Sequence, residues 1–116
     1  MATEDDVRRI SLTLPETSEK TAWGMPTFRV RNKIFASIGG DDGVLGYAID
    51  KNERQGLIAS DPSTYFLKSG HDDNFNFARA RLDRLDESEL TELLTDAWLF
   101  IAPARLRAAF ERGGAG

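Results

Sequence analysis

The sequence predicts an α+β fold of two layers, a single antiparallel sheet covered on one face by N- and C-terminal helices. Apolar residues recur at helical spacing near both ends, in Val7, Ile10 and Leu14 and again from Leu90 to Ile101. Between them the period changes to two, from Trp23 to Asp50 and from Phe75 to Leu82. At 116 residues one hydrophobic core is expected, so residues 1–116 read as a single domain.

The elements follow in order. Thr3 is an N-cap and Asp6 its capping-box partner, which predicts a first helix over residues 3–14 that Pro15 ends. Phe28 and Val30 then alternate with Thr27, Arg29 and Arg31, and Ile34, Ala36 and Ile38 alternate with Phe35 and Ser37. Asn32-Lys33 is expected to join these two strands, and Gly39-Gly40-Asp41-Asp42-Gly43 to join the second to a strand over Val44 to Ile49. Within that strand Gly46 marks a bulge or a close approach. One or two helical turns are expected within residues 51–60, since Arg54, Leu57 and Ile58 have helical spacing and Asp61-Pro62 stops them. Tyr65-Phe66-Leu67 is extended, and the strand from Phe75 to Leu82 places Ala78, Ala80 and Leu82 toward the helices and Phe77, Arg79 and Arg81 away from them. Asp86 and Glu89 open a long helix whose apolar stripe includes Leu90, Leu93, Leu94, Ala97 and Trp98. Pro103 begins a short final helix with Leu106, Ala109 and Phe110 turned inward, before a frayed glycine-rich end.

Composition narrows the function. Hydrophobic residues make up 41% of the chain, enough for a core, and 29% charged residues do not signal disorder. There is no cysteine, hence no disulfide, thiol nucleophile or thiolate metal site. The first residues are acidic where a secretory signal is basic and then apolar, and no stretch reaches the length of a membrane span. A cytoplasmic location without a membrane partner is expected. The net charge of -4 disfavours a strong non-specific grip on nucleic acid, but the charge is unevenly divided. Residues 27–81 carry eight Lys or Arg against seven acids (+1), residues 1–26 three against five (-2), and residues 82–116 four against seven (-3).

Catalytic constellations are poorly represented. His71, the only histidine, sits between Gly70 and Asp72-Asp73 in an expected loop and has no recognisable nucleophile partner. No His/Cys spacing forms a zinc module and no calcium loop is present, so no metal or cofactor is expected. The glycines at 39, 40 and 43 lack the lysine and hydroxyl residue of a phosphate loop. More informative are Arg29 with Arg31 and Arg79 with Arg81, pairs two residues apart that share strand faces. On an uncovered sheet face they can hold phosphates, with Phe77 as a stacking surface. The alternative is that acidic neighbours neutralise them. Trp23-Gly24-Met25-Pro26 is either a small-molecule surface or an anchor between the first helix and the sheet, whereas Trp98 belongs to the core.

These residues carry a resemblance. Leu14-Pro15 with Glu16 and Glu19, the run Trp23-Gly24-Met25-Pro26-Thr27-Phe28-Arg29-Val30, Lys33-Ile34-Phe35-Ala36, Arg81-Leu82-Asp83, Glu89-Leu90, Leu93-Leu94, and Ala97-Trp98 leading to Ala102-Pro103 and Leu106 follow one another in a familiar order. The chain resembles the MmcQ/YjbR group of small bacterial proteins, whose fold is similar to that of the CyaY/frataxin group. The resemblance implies an open antiparallel sheet and a DNA-binding role, with Arg29, Lys33 and Arg81 at the group's basic strand positions and no catalytic motif to transfer. Glu4-Asp5-Asp6 followed by Arg8-Arg9 is too short to be the acidic ridge through which frataxin-type proteins bind iron.

Two functional expectations result. The first is a weakly DNA-binding or regulatory accessory protein without catalytic activity, using Arg29, Arg31, Lys33, Arg79 and Arg81. The second is a module that binds a small molecule or a protein partner through Trp23, Met25 and Phe77. An apolar concavity beside Trp23, together with arginines already paired to acids, distinguishes the second from the first.

Overall fold

The computed structural model describes residues 1–39, 43–68, 70, 72 and 74–113. The expectations placed on the Gly40 to Asp42 turn, on His71 and Asp73, and on the last three glycine-rich positions lie outside the described residues. The chain runs α1 (Glu4–Ser11), β1 (Thr17–Ala22), β2 (Met25–Val30), β3 (Lys33–Ile38), β4 (Val44–Ala48), α2 (Arg54–Ser60), β5 (Tyr65–Phe66), β6 (Phe77–Arg81), α3 (Glu87–Ile101) and α4 (Ala104–Gly113). All strands pair antiparallel in one six-stranded sheet of order β1-β2-β3-β4-β6-β5.

One sheet face is covered. Phe28, Val30, Ala36, Leu45, Ala78 and Ala80 are fully buried there against Leu90, Leu94, Ala97 and Trp98 of α3 and Val7 of α1. Alanines on the middle strands let α3 approach the sheet closely, and Leu82 follows them into the core. Both long-range helices start on capping boxes: Thr3 Oγ1 accepts from the Asp6 N–H at 3.1 Å, and Asp86 Oδ1 from the Glu89 N–H at 2.7 Å. The Trp98 indole N–H donates to the Pro15 carbonyl at 3.0 Å, which ties α3 to the end of α1. Its ring meets Phe110 of α4 at 5.1 Å between centroids. Leu106 and Phe110 are half-buried, but Ala109, expected inward, is exposed.

Other departures have physical causes. Thr17–Ala22 forms an edge strand that lacks an apolar alternation, so its sequence shows no period of two. The β2–β3 turn is Arg31-Asn32 rather than Asn32-Lys33: Val30 pairs with Lys33, and both intervening residues have positive φ, 51° and 66°. Between Phe28/Arg29 and their partners the register slips by one residue, because Ala36 opposes Phe28 while Ile34 opposes Arg29. Phe35 is the extra residue. The bulge places Phe35 and Ala36 both in the core and turns Ile34 to the opposite face, reversing the expected parity of Ile34 and Phe35. The last long strand begins at Phe77, two residues later than expected.

Leu94 is fully buried, so Leu94→Ala should lower unfolding free energy by about 2–5 kcal/mol in urea titrations, with the cavity left under α3 deciding where in that range it falls. Asp86→Ala should cost about 1 kcal/mol through loss of the cap alone.

Candidate functional site

The face that the helices do not cover is built from cross-strand partners. Thr27 pairs with Ser37, Ser37 with Gly46 and Gly46 with Arg79, so one row of small or polar residues crosses the middle of the sheet. Gly46 is central to it. A Cβ at that position would lie 2.6 Å from the Phe77 ring, so the missing side chain is what lets Phe77 lie across β4.

Around this low centre stand larger groups, and together they enclose a concavity of about 730 Å³. Met25 and Ile34 line it from β2 and β3, Phe77 from β6, and Phe75 and Lys68 from the segment before β6. Trp23 closes one side. It sits with Gly24 in the two-residue turn between β1 and β2, where Ala22 pairs with Met25 and both turn residues have positive φ, 53° and 76°. A bulky residue with that backbone conformation costs roughly 1–2 kcal/mol relative to glycine. Trp23 is also 80% exposed, so it does not gain that energy back from burial in the core, and Phe75 beside the same concavity is 62% exposed. Of the two expectations for Trp23, the anchor between helix and sheet is therefore excluded.

The segment before β6 is held by two buried polar contacts. Asp72, 1% exposed, accepts from Arg79 Nε at 2.9 Å and Nη2 at 3.2 Å and from the Lys68 backbone N–H at 2.9 Å. The bidentate pair fixes the segment against β6. Behind it Arg54, buried at the start of α2, donates through Nη1 to the carbonyls of Asp72, Phe75 and Phe77 at 3.0, 2.6 and 2.7 Å. One guanidinium thus satisfies two carbonyls that lie off any strand, those of Asp72 and Phe75, and a third at the first residue of β6.

The structure separates the five cations expected on this face. Arg31 lies in the β2–β3 turn, not on the strand face with Arg29, and pairs with Glu16, Nε to Oε1 at 2.5 Å. That pairing holds the Arg31 guanidinium above and the Glu16 carboxyl below their ordinary ranges. Lys33 opposes the core residue Val30 and so stands on the helix side at the end of the ladder. Arg79 is engaged by Asp72. Arg29 and Arg81 do share the open face, but in opposite corners and three strands apart, roughly 14 Å across the sheet. Arg29 donates to Thr27 Oγ1 at 3.1 Å, and Arg81 lies over the Phe66 ring, 4.4 Å from its centroid. In contrast, Trp23, Met25 and Phe77 come together in the one concavity. Sequence reasoning missed Ile34, hidden by the bulge, Phe75, read only as the first residue of a strand that in fact starts at Phe77, and Lys68, which belongs to no periodic segment; Gly46 was the one readable sign that something lies close to the sheet.

A second concavity, of about 530 Å³, lies on the helix side among β4, α2, α3 and α4. Its wall carries Glu53, Glu92 and Asp96, and burial together with Glu92 and Glu53 pushes the Asp96 carboxyl above its ordinary range. No group of three described His, Cys, Asp or Glu residues could hold a metal ion. Burial also raises the Tyr47 phenol, whose hydroxyl has no hydrogen-bond partner among the described residues.

Three substitutions test this geometry. Asp72→Asn removes the charge that faces the half-buried Arg79 guanidinium and should cost about 1.5–3 kcal/mol in denaturant titrations. Gly46→Ala should move the Phe77 ring, visible as changed ring-current shifts on residues of β4. Because Asp96 has a higher pKa folded than unfolded, its ionisation opposes folding at pH 7 and has no effect where both states are protonated. Asp96→Asn should therefore raise Tm at neutral pH and lose that gain below pH ~3.

Comparison with known proteins agrees with this architecture. The YjbR family model matches residues 12–100. An uncharacterized protein of Mycobacterium bovis and one of Mycobacterium tuberculosis are each 32% identical over 125 residues, covering 95% of this chain and 96% of the relative. The crystal structure of a Deinococcus radiodurans protein with a DUF419 domain superposes with a TM-score of 0.76 at 19% identity, over 96% of this chain and 89% of that one, a likeness of fold. No helix among the described residues is long and apolar enough to cross a membrane. With the family model spanning most of its length and relatives aligned nearly end to end, the chain belongs to the YjbR family.

Proposed function

We propose that the open sheet face binds a small organic molecule in the concavity bounded by Trp23, Phe75 and Phe77. The observation that carries this reading is the concavity itself. It is largely apolar, of a volume suited to a drug-sized ligand, and placed where helices leave the sheet uncovered. Exposed aromatic side chains on its rim support the same reading, since Trp23 holds a costly backbone conformation without gaining burial. The pairing of Arg79 with Asp72 and of Arg31 with Glu16 supports it further, because a phosphate-binding face needs cations whose charge is not already matched.

The two tryptophans make the test direct. Trp98 is buried with its indole N–H bonded to Pro15, and Trp23 is exposed, so their indole signals in a nitrogen-15 correlation spectrum report core and site separately. Aromatic fragments should shift the Trp23 signal and the amides of Met25 and Phe77 while leaving Trp98 in place, and Phe77→Ala should weaken the best fragment by about tenfold or more. DNA is the control. Salt-sensitive binding of single- or double-stranded DNA that shifts Arg29 and Arg81 and ignores Phe77→Ala would favour the nucleic-acid reading. Absence of any fragment response at Trp23 would overturn the small-molecule reading.

A further inference from the structure

We infer that the molecule taken by the open face is a planar aromatic carboxylate, an inference that rests on the reading of that face as a small-molecule site. The shape argument concerns flatness. Phe77 lies over Gly46, where no side chain stands, and Trp23 and Phe75 line the same concavity, so three aromatic rings join Met25 and Ile34 in its apolar lining. Aromatic pairs favour stacked or edge-to-face contact, which a flat ring satisfies better than a branched aliphatic group.

The charge argument concerns which polar groups remain unspent. Among the described residues Asp72 is the one acid lining the concavity, and its two oxygens already accept at least three hydrogen bonds, from Arg79 Nε, Arg79 Nη2 and the Lys68 backbone. It offers little to a cation. Lys68, by contrast, is exposed, and its ammonium makes no ion pair among the described residues. The Ser37 hydroxyl lines the same concavity and can donate. Asn76 uses its Oδ1 to accept from the Lys51 N–H at 3.0 Å, which leaves its amide NH₂ as a donor. The groups left for a ligand are thus an ammonium, a hydroxyl and an amide NH₂, and none is a charged acceptor. With Lys68 and Arg79 against Asp72, the described residues of the lining carry +1 on a chain whose total is -4. A carboxylate can accept from donors of each of these kinds and matches that sign.

A matched set of one ring tests it: indole-3-acetate, its neutral amide and tryptamine, titrated against the protein while the Trp23 and Trp98 indole signals are followed. The acid should bind at least about tenfold tighter than the amide, tryptamine should bind weakest, and the gap should narrow with added salt. In Lys68→Gln, an exchange at an exposed side chain, the acid should fall to the affinity of the amide and the amide should not change. An unshifted Trp98 signal certifies that the variant is folded. If the amide or the amine binds as tightly as the acid with Trp23 shifted, the carboxylate inference is overturned and the small-molecule reading stands. If none of the three binds, the inference is overturned as well, and the aromatic fragments decide the broader reading.

Discussion

A carboxylate with 1% exposure has to find its counter-charge inside the protein, and Asp72 finds it in Arg79. Much of the open face depends on that pair. Because Asp72 also accepts from the Lys68 backbone, the ion pair closes the segment that leads into β6 and holds it against the strand it precedes. Arg54 secures the same segment from behind by taking three of its carbonyls. Both contacts set hydrogen bonds to charged groups, the stronger kind, where the chain enters β6. The consequence is a wall that carries Phe75 and Phe77, and an arginine whose charge Asp72 answers.

The floor of the concavity has a different origin. A sheet with one solvated face normally presents alternating polar side chains of similar height. Here the central row is Thr27, Ser37 and Gly46, all short, while the bulge at Phe35 sends Ile34 outward instead of into the core. The same bulge lets Phe35 and Ala36 both pack against the helices, so core filling and surface shaping come from one extra residue. Trp23 completes the rim at the cost of an unfavourable φ. These are local departures from regular strand geometry, and they coincide in space.

That coincidence explains what could be read from the sequence and what could not. The long apolar stripe of α3 with its Asp86 and Glu89 cap, and the Ala78 and Ala80 alternation, report burial through periodicity, so the covered half of the fold was legible. β1 was not, because an exposed edge strand such as Thr17–Ala22 carries no apolar period. The bulge inverts parity for Ile34 without any glycine to announce it, and the turn at Arg31-Asn32 shifts one residue from where Asn32-Lys33 suggested. Arg31 and Arg79 keep the spacing of strand-face cations in the sequence, but their acids, Glu16 and Asp72, come from segments whose positions periodicity cannot give. Trp23, Met25 and Phe77 were visible singly as candidates; their meeting required the sheet order, which puts β2 and β6 on either side of β3 and β4.

The two faces also differ in charge in a way the net value hides. Glu53, Glu89, Glu92 and Asp96 gather in the helix-side groove, where burial and then the charges of Glu92 and Glu53 push the Asp96 carboxyl above its ordinary range. On the open face the acids that occur are consumed in pairs, and Lys68, Arg29 and Arg81 have no acidic partner within bonding distance among the described residues. At physiological salt exposed charges are screened beyond about 8 Å, so a ligand in the concavity experiences the lining far more than the distant acidic groove. An acidic protein can therefore present a face that favours an anion. Extended polyanions meet only cations scattered to its corners, whereas a small carboxylate needs one ammonium and a few donors near a flat apolar wall, and that is the arrangement around Lys68, Ser37 and Phe77.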